Sequence, residues 1–335
     1  MKKLIPIVLL GGAAFAGEGY KVITKFKIGG TGNWDYVAVD STNRRIYASH
    51  TNVVEVLDAD SGKLLGQIQQ LHGVHGIAIA ADLNKGFISN GQSNSVTVFD
   101  LKTRDRLGEP AVGGQNPDAI CYEPKTRRIF TFNGRSSNST AIDAKTNEIL
   151  KTFPVGGKPE FCVADGTGKL YVNLEDSSEI IEIDAAKPEV TRRSQLTPCE
   201  EPSGLAIDVK NKKLFSVCSN KMMAVTDIPT LKVIATPAIG AGPDAAGFDP
   251  GVSLAFSSNA DSTLTIVKQV NGKYQAVDSV TTEPRARTMA VDLKNHRLYL
   301  LAAEYGPIPA AKPGQKKGRP PVLPDTFHVL VVGKQ

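Results

Sequence analysis

The sequence predicts an all-β protein: a seven-bladed β-propeller with four-stranded blades, closed by an N-terminal strand that completes the last blade. Three observations carry this. A unit of about 42 residues recurs seven times. Each unit has room for four short strands divided by turn signals. The last unit lacks a fourth strand, whereas the N-terminal region has one to spare.

The unit is a turn with Gly or Pro, a short apolar strand that usually ends in an acid, a basic turn, and an aromatic-led strand. The first strands run from Tyr36 to Asp40, Gly76 to Ala80, Ala119 to Glu123, Phe161 to Asp165, Gly204 to Asp208, Ala245 to Asp249 and Thr288 to Asp292. Second strands follow, such as Arg45 to His50, Gly86 to Asn90 and Arg128 to Asn133. Third strands alternate in polarity, as in Val53 to Leu57, Ser95 to Phe99 and Ile180 to Ile183. An Asp then opens a turn, as in Asp58 to Gly62, and a fourth strand such as Leu64 to Leu71 completes the unit. Four strands at this period are one propeller blade. Phe327 to Val332 is the final strand of the last unit, and Lys21 to Ile28 precedes the first. Pairing these two closes the ring and leaves no open blade edge. No domain boundary interrupts residues 17–335.

Composition narrows the class further. Hydrophobic residues are 41% and charged residues 22% of 335, which excludes disorder and fibres. A net charge of +5 gives no support for nucleic-acid binding. Lys2 and Lys3, the apolar run Leu4 to Phe15 and the small-residue site Ala14-Phe15-Ala16 form a three-part secretory signal over residues 1–16. A bilayer-spanning helix needs about 20 apolar residues, so this run does not anchor the chain. The expectation is an exported monomer, periplasmic or secreted, with no membrane span. In that compartment disulfides persist. Cys199 and Cys218, at one end of adjacent strands in the fifth unit, are expected to form one. Cys121 and Cys162 lie in first strands of neighbouring units, one position out of phase, and are expected to be buried thiols on different faces.

The second strands also carry a degenerate four-residue pattern: Phe87-Ile-Ser-Asn90, Phe130-Thr-Phe-Asn133, Tyr171-Val-Asn-Leu174 and Phe256-Ser-Ser-Asn259. With the Gly-x-x-Pro-(Asp/Glu) lead, these make the mature chain resemble the YncE-like, YVTN-repeat seven-bladed propellers of exported bacterial proteins. Cys218 and Ala302 replace the motif Asn in the fifth and seventh units. The resemblance implies the fold and export. It implies no single activity, because this architecture hosts binding proteins, hydrolases and dehydrogenase subunits.

The propeller topology turns the linear sequence into a candidate site. The first strand of each blade lines the channel, and the residue before it sits at the rim of one face, here called the top. That rim is Asp35, His75, Asp118, Glu160, Ser203, Asp244 and Arg287, with four carboxylates and one guanidinium giving a formal −3 on a net-positive chain. Converging carboxylates in a concave mouth raise each other's pKa or bind a cation. His50, His72 and His75, with Asp35, form one conceivable site for Zn²⁺ or Cu²⁺. An oxygen set from Asp35, Asp118, Glu160 and Asp244, backed by Asn90, Asn133 and Asn259, suits Ca²⁺. Trp34, the only Trp, either stacks on a ligand or plugs blade one. The Pro-rich insertion 305–325, with Lys312, Lys316, Lys317 and Arg319, emerges on the same top face.

Two functions fit. One is an exported binding protein whose top mouth takes a small ligand, a metal ion or a protein partner. The other is a metal-assisted hydrolase of lactonase or esterase type. There a rim metal polarises a carbonyl, Glu160, Asp118 or His75 acts as general base, and Arg287 holds a substrate carboxylate or oxyanion. There is no Gly-x-Ser-x-Gly elbow, P-loop or dinucleotide glycine set.

Overall fold

The computed structural model describes residues 17–308 and 318–334. The export signal over residues 1–16 and Lys312, Lys316 and Lys317 lie outside the described residues. The chain forms seven four-stranded antiparallel sheets arranged in a ring. The first strand of each blade packs beside the first strand of the next, and Val37–Asp40 beside Met289–Asp292 completes the circle.

Each strand's alternation supplies two apolar faces, so every blade is buried on both sides by its neighbours. Accordingly there are seven core clusters, one for each gap between blades. Between blades three and four, Phe130, Phe132 and Phe153 meet Leu170, Val172 and Ile181. Burying each such side chain contributes about 1.5–3 kcal/mol. The acid that ends most first strands has a local task. The Asp40 carboxylate accepts the amides of Thr42 and Asn43 at 3.1 and 2.9 Å, and Glu123 accepts that of Thr126 at 2.7 Å. These contacts satisfy the tight turn into the second strand.

In blades two and five the residue directly after the rim position is glycine, and the next blade's backbone comes close to it. A Cβ on Gly204 would lie 2.5 Å from Ala246 N and Asp244 O, and one on Gly76 would lie 2.8 Å from the Asp118 carbonyl. Glycine at these points lets adjacent backbones approach.

Closure is as the sequence predicts. Lys21–Lys27 pairs antiparallel with His328–Gly333, from Lys21 opposite Gly333 to Lys27 opposite His328, as the outer strand of blade seven. Phe26 is buried beside Tyr299 with ring centroids 6.5 Å apart. Arg44 of blade one reaches Asp292 of blade seven at 2.8 Å and Asp60 at 3.0 Å, a second clasp across the same seam.

Cys199 and Cys218 form the expected disulfide. Cys121 and Cys162 do not remain thiols; they form a second one between blades three and four. The phase argument fails for a geometric reason. Neighbouring blades present opposite faces to the gap between them, so side chains one position out of phase on adjacent first strands point into the same gap. Met223 is blade core, and Met222 packs partly buried in the same blade.

The inner bridge closes a loop of 41 residues. On the chain-entropy relation the Cys121→Ala/Cys162→Ala variant should lose roughly 2–4 kcal/mol of stability. Denaturant unfolding of the oxidised proteins checks this, and an unshifted midpoint would show that the bridge adds nothing.

Candidate binding site at the top channel mouth

Side-chain hydrogen bonds from second-strand polar residues to the rim backbone set the rim in place. The Ser89 hydroxyl accepts the Gly76 amide at 2.8 Å and donates to the Asp118 carbonyl at 2.5 Å, tying blade two to blade three. Ser258 does the same between blades six and seven, donating to the Arg287 carbonyl. Between blades four and five the Asn173 amide donates to the Ser203 and Gly204 carbonyls at 2.9 and 3.2 Å. Ser49 accepts the Asp35 amide at 2.9 Å. These residues share one position, next to last in the second strand, and their recurrence was the signal that the sequence offered for them.

The mouth has a floor. Tyr36 of blade one crosses the channel, donates its hydroxyl to the Glu160 carbonyl of blade four at 3.2 Å and stacks on Phe161 with centroids 5.5 Å apart. Above it lies a cavity of about 120 Å³ lined by Asp35, Asp118, Glu160, Ser203, Asp244 and Arg287 among others. Burial beside these acids holds the Tyr36 phenol well above its usual pKa, so it stays a neutral donor.

One tight cluster stands out within the rim. His75 Nδ1 donates to Asp35 at 2.5 Å and lies 3.8 Å from Asp118. Donor atoms of Asp35, His75 and Asp118 all fall within 4.8 Å of one another. Glu160 is 3.4 Å from Lys158, which also pairs with Glu175. Neither Lys158 nor Glu175 was singled out from sequence, because both fall outside the strict rim position. Asp244 lies 3.5 Å from Arg287 Nε.

The electrostatics follow from the floor and the crowding. Burial, aided by the charge of Asp35, pushes the Asp118 carboxyl up to about 6 despite His75. Burial and the nearby Asp118 and Glu175 push Glu160 up to about 7. Burial raises Asp244 to about 6 against the opposing effect of Arg287. Burial alone would lower His75, but the Asp35 hydrogen bond and the charges of Asp118 and Asp35 outweigh it and its pKa is raised.

Other residues from the sequence reading lie apart from this cluster. His50 is buried within blade one, its Nδ1 3.2 Å from Glu55 and its ring 4.5 Å from that of Phe327. His72 is exposed. His328 is 3.0 Å from Glu283, and His296 contacts Asp249 at 2.8 Å. Asn90, Asn133 and Asn259 are fully buried and donate to hydroxyls or amide oxygens of the third strand, such as Thr97 at 2.9 Å and Thr263 at 2.9 Å, so they do not back the acids. Trp34 packs at the top of blade one and also faces a cavity. It stacks on Phe327 at 5.0 Å and lines a second, larger cavity with Tyr305 and Arg319 from the stem of the insertion.

The ring has counterparts among solved structures. The structure of U3-55K superposes with a TM-score of 0.74 at 8% identity, covering 92% of this chain and 97% of its own. The hydrazine synthase of Kuenenia stuttgartiensis gives 0.69 at 15% identity, covering 81% of this chain and 92% of its own. The likeness shows the fold alone. No family model matches the chain, and no curated protein does.

The raised carboxyls carry a sign. Their folded pKa values near 6 and 7 exceed those of the unfolded chain. The fold therefore binds more protons than the unfolded chain between about pH 4 and 7, and stability falls as pH rises through that window. Asp118→Asn/Glu160→Gln removes this opposition without changing shape. The variant should melt a few degrees higher than the parent at pH 8 and no higher at pH 4, in thermal unfolding at the two pH values. Equal melting at pH 8 would mean that the mouth does not hold its carboxyls at a cost to the fold.

Proposed function

We propose that this is an exported binding propeller of the YncE-like, YVTN-repeat kind, whose top mouth holds a cation. That cation is a divalent metal or the ammonium group of a small ligand. The observation that carries the reading is the convergence of Asp35, His75 and Asp118 within 4.8 Å, with Glu160 and Asp244 on the cavity above the aromatic floor. Carboxyls that keep protons near neutrality release them when a cation takes their place. The imidazole in the donor set favours Zn²⁺ or Cu²⁺ over Ca²⁺. Asp35 and Asp118 supply the oxygen donors, and Glu160 balances the remaining charge. Two disulfides and the secretory pattern of residues 1–16 support an oxidising compartment. No helix among the described residues is long and apolar enough to cross a membrane.

One observation favours metal-assisted hydrolysis as a second reading. Glu160, pushed up to about 7, is matched to general-base work at neutral pH. Arg287 lies on the same cavity, where it would meet a developing oxyanion.

Elemental mass spectrometry of the purified protein, before and after chelator, followed by Zn²⁺ titration calorimetry, tests the binding reading. Zn²⁺ affinity should rise between pH 5.5 and 8, by up to about tenfold per pH unit for each proton displaced. Asp118→Asn should lower it by about tenfold or more at pH 7.5. Affinity that ignores both pH and this substitution would place the cation elsewhere. Ester or lactone turnover that disappears with Glu160→Gln while Zn²⁺ stays bound would favour the hydrolase.

A further inference from the structure

Next to the acidic mouth lies a cavity of about 410 Å³ that shares Asp35, Asp244, Arg287 and Thr288 with it. Its charge is reversed. Arg285, Arg287 and Arg319 all line it. Arg287 Nε lies 3.5 Å from Asp244. Among the described residues, Arg285 and Arg319 have no carboxylate within ion-pair distance. Arg285 instead lies over the Tyr305 ring, 5.4 Å from its centroid. Its φ of 62° is a backbone conformation that costs a bulky residue free energy. The local turn holds it there, with the Arg285 amide on the Ala260 carbonyl at 3.0 Å.

The lining beside the arginines is aromatic. Trp34 and Tyr305 stand with centroids 6.3 Å apart. Tyr305 is fixed by its bridge to Val322 and by the Gly306 amide on the Pro321 carbonyl at 2.8 Å. The same stem carries Arg319 to the cavity. The stem of the blade-seven insertion thus builds a wall here, on the top face where the sequence places it. Asp35 and Asp244 offset part of the charge of the three guanidiniums, and Arg285 and Arg319, with no carboxylate partner among the described residues, keep their forks open to a further anion. Their planar forks match carboxylate and phosphate oxygens.

We propose that this cavity is an anion subsite that takes the carboxylate or phosphate end of a small organic ligand whose planar body lies along Trp34 and Tyr305. The inference rests on the cation reading of the acidic mouth. A dipolar ligand, with its ammonium group in the inner well and its oxyanion at the arginines, spans both cavities. The inner well of about 120 Å³ admits a head group, and the outer cavity of about 410 Å³ takes the body. The ligand class is therefore an aromatic or other planar zwitterion.

Titration calorimetry with phenyl phosphate and phenylacetate as probes tests this, with benzyl alcohol as the uncharged control. Both oxyanions should bind the parent protein and benzyl alcohol should not. Arg285→Ala/Arg319→Ala should weaken them by about tenfold or more, and Arg319→Ala alone by less, while Zn²⁺ affinity stays unchanged. No oxyanion binding by the parent, or binding undiminished in the double variant, would overturn the subsite. Inorganic phosphate binding as tightly as phenyl phosphate would overturn the planar body. Oxyanion binding without any Zn²⁺ binding would uphold the subsite and remove the metal from the reading of the inner well. Zn²⁺ binding without oxyanion binding would do the reverse.

Discussion

Everything at the mouth depends on the close approach of seven first strands around a narrow axis. That approach is possible because Gly76 and Gly204 leave space for the next blade's backbone, and because each gap between blades is filled with apolar side chains. Once the strands stand that close, the residues before them have nowhere to point except a shared concavity. Ser89, Asn173 and Ser258 then fix individual rim carbonyls to the blade before them. The site is therefore a consequence of the packing that closes the ring. Substitutions at these second-strand positions should move Asp118, Ser203 and Arg287 without touching their side chains.

The floor converts a ring of ordinary acids into an unusual site. A water-filled channel would screen Asp118, Glu160 and Asp244 from one another and leave them ionised. Tyr36 and Phe161 exclude water from below by stacking across the axis, and burial becomes the main cause of the raised carboxyl pKa values. The fold holds like charges where they oppose it. Such an arrangement is stable because seven apolar interfaces outweigh a local electrostatic cost.

Much of this was legible in the sequence because the repeat is periodic. A period near 42 residues gave the blade count, the strand order and the seven rim positions, including the pairing of Lys21–Lys27 with the final strand. Periodicity says little about what crosses the ring. The reach of Tyr36 from blade one to blade four, and the Cys121–Cys162 bridge between neighbours, depend on three-dimensional adjacency. The same limit applies to His50. Its position at the end of a second strand is on the correct face, but Glu55 of the adjoining strand and Phe327 of blade seven enclose it. Likewise, Asn90, Asn133 and Asn259 recur as a motif because they cross-link second and third strands, which explains their pattern without a ligand.

The position of the insertion is the last constraint on function. Six blades join their second and third strands by short turns, and only blade seven departs from this. Its stem places Tyr305 and Arg319 next to Trp34, which leads the first strand of blade one, so the irregular segment lies at the seam where the ring closes. Blade seven also supplies Arg285 and Arg287 on the approach to its first strand. Basic side chains are thereby concentrated on one side of an otherwise acidic rim. A symmetric ring of like residues would favour a bare ion on the axis. The charge reversal at blade seven breaks that symmetry and gives the mouth a direction, with negative charge toward the axis and positive charge toward the seam. A directional field of this kind orients a dipolar molecule, as a symmetric ring could not. The fold can carry this asymmetry because the insertion replaces a solvent-exposed turn and leaves the packed strands of the blade unchanged.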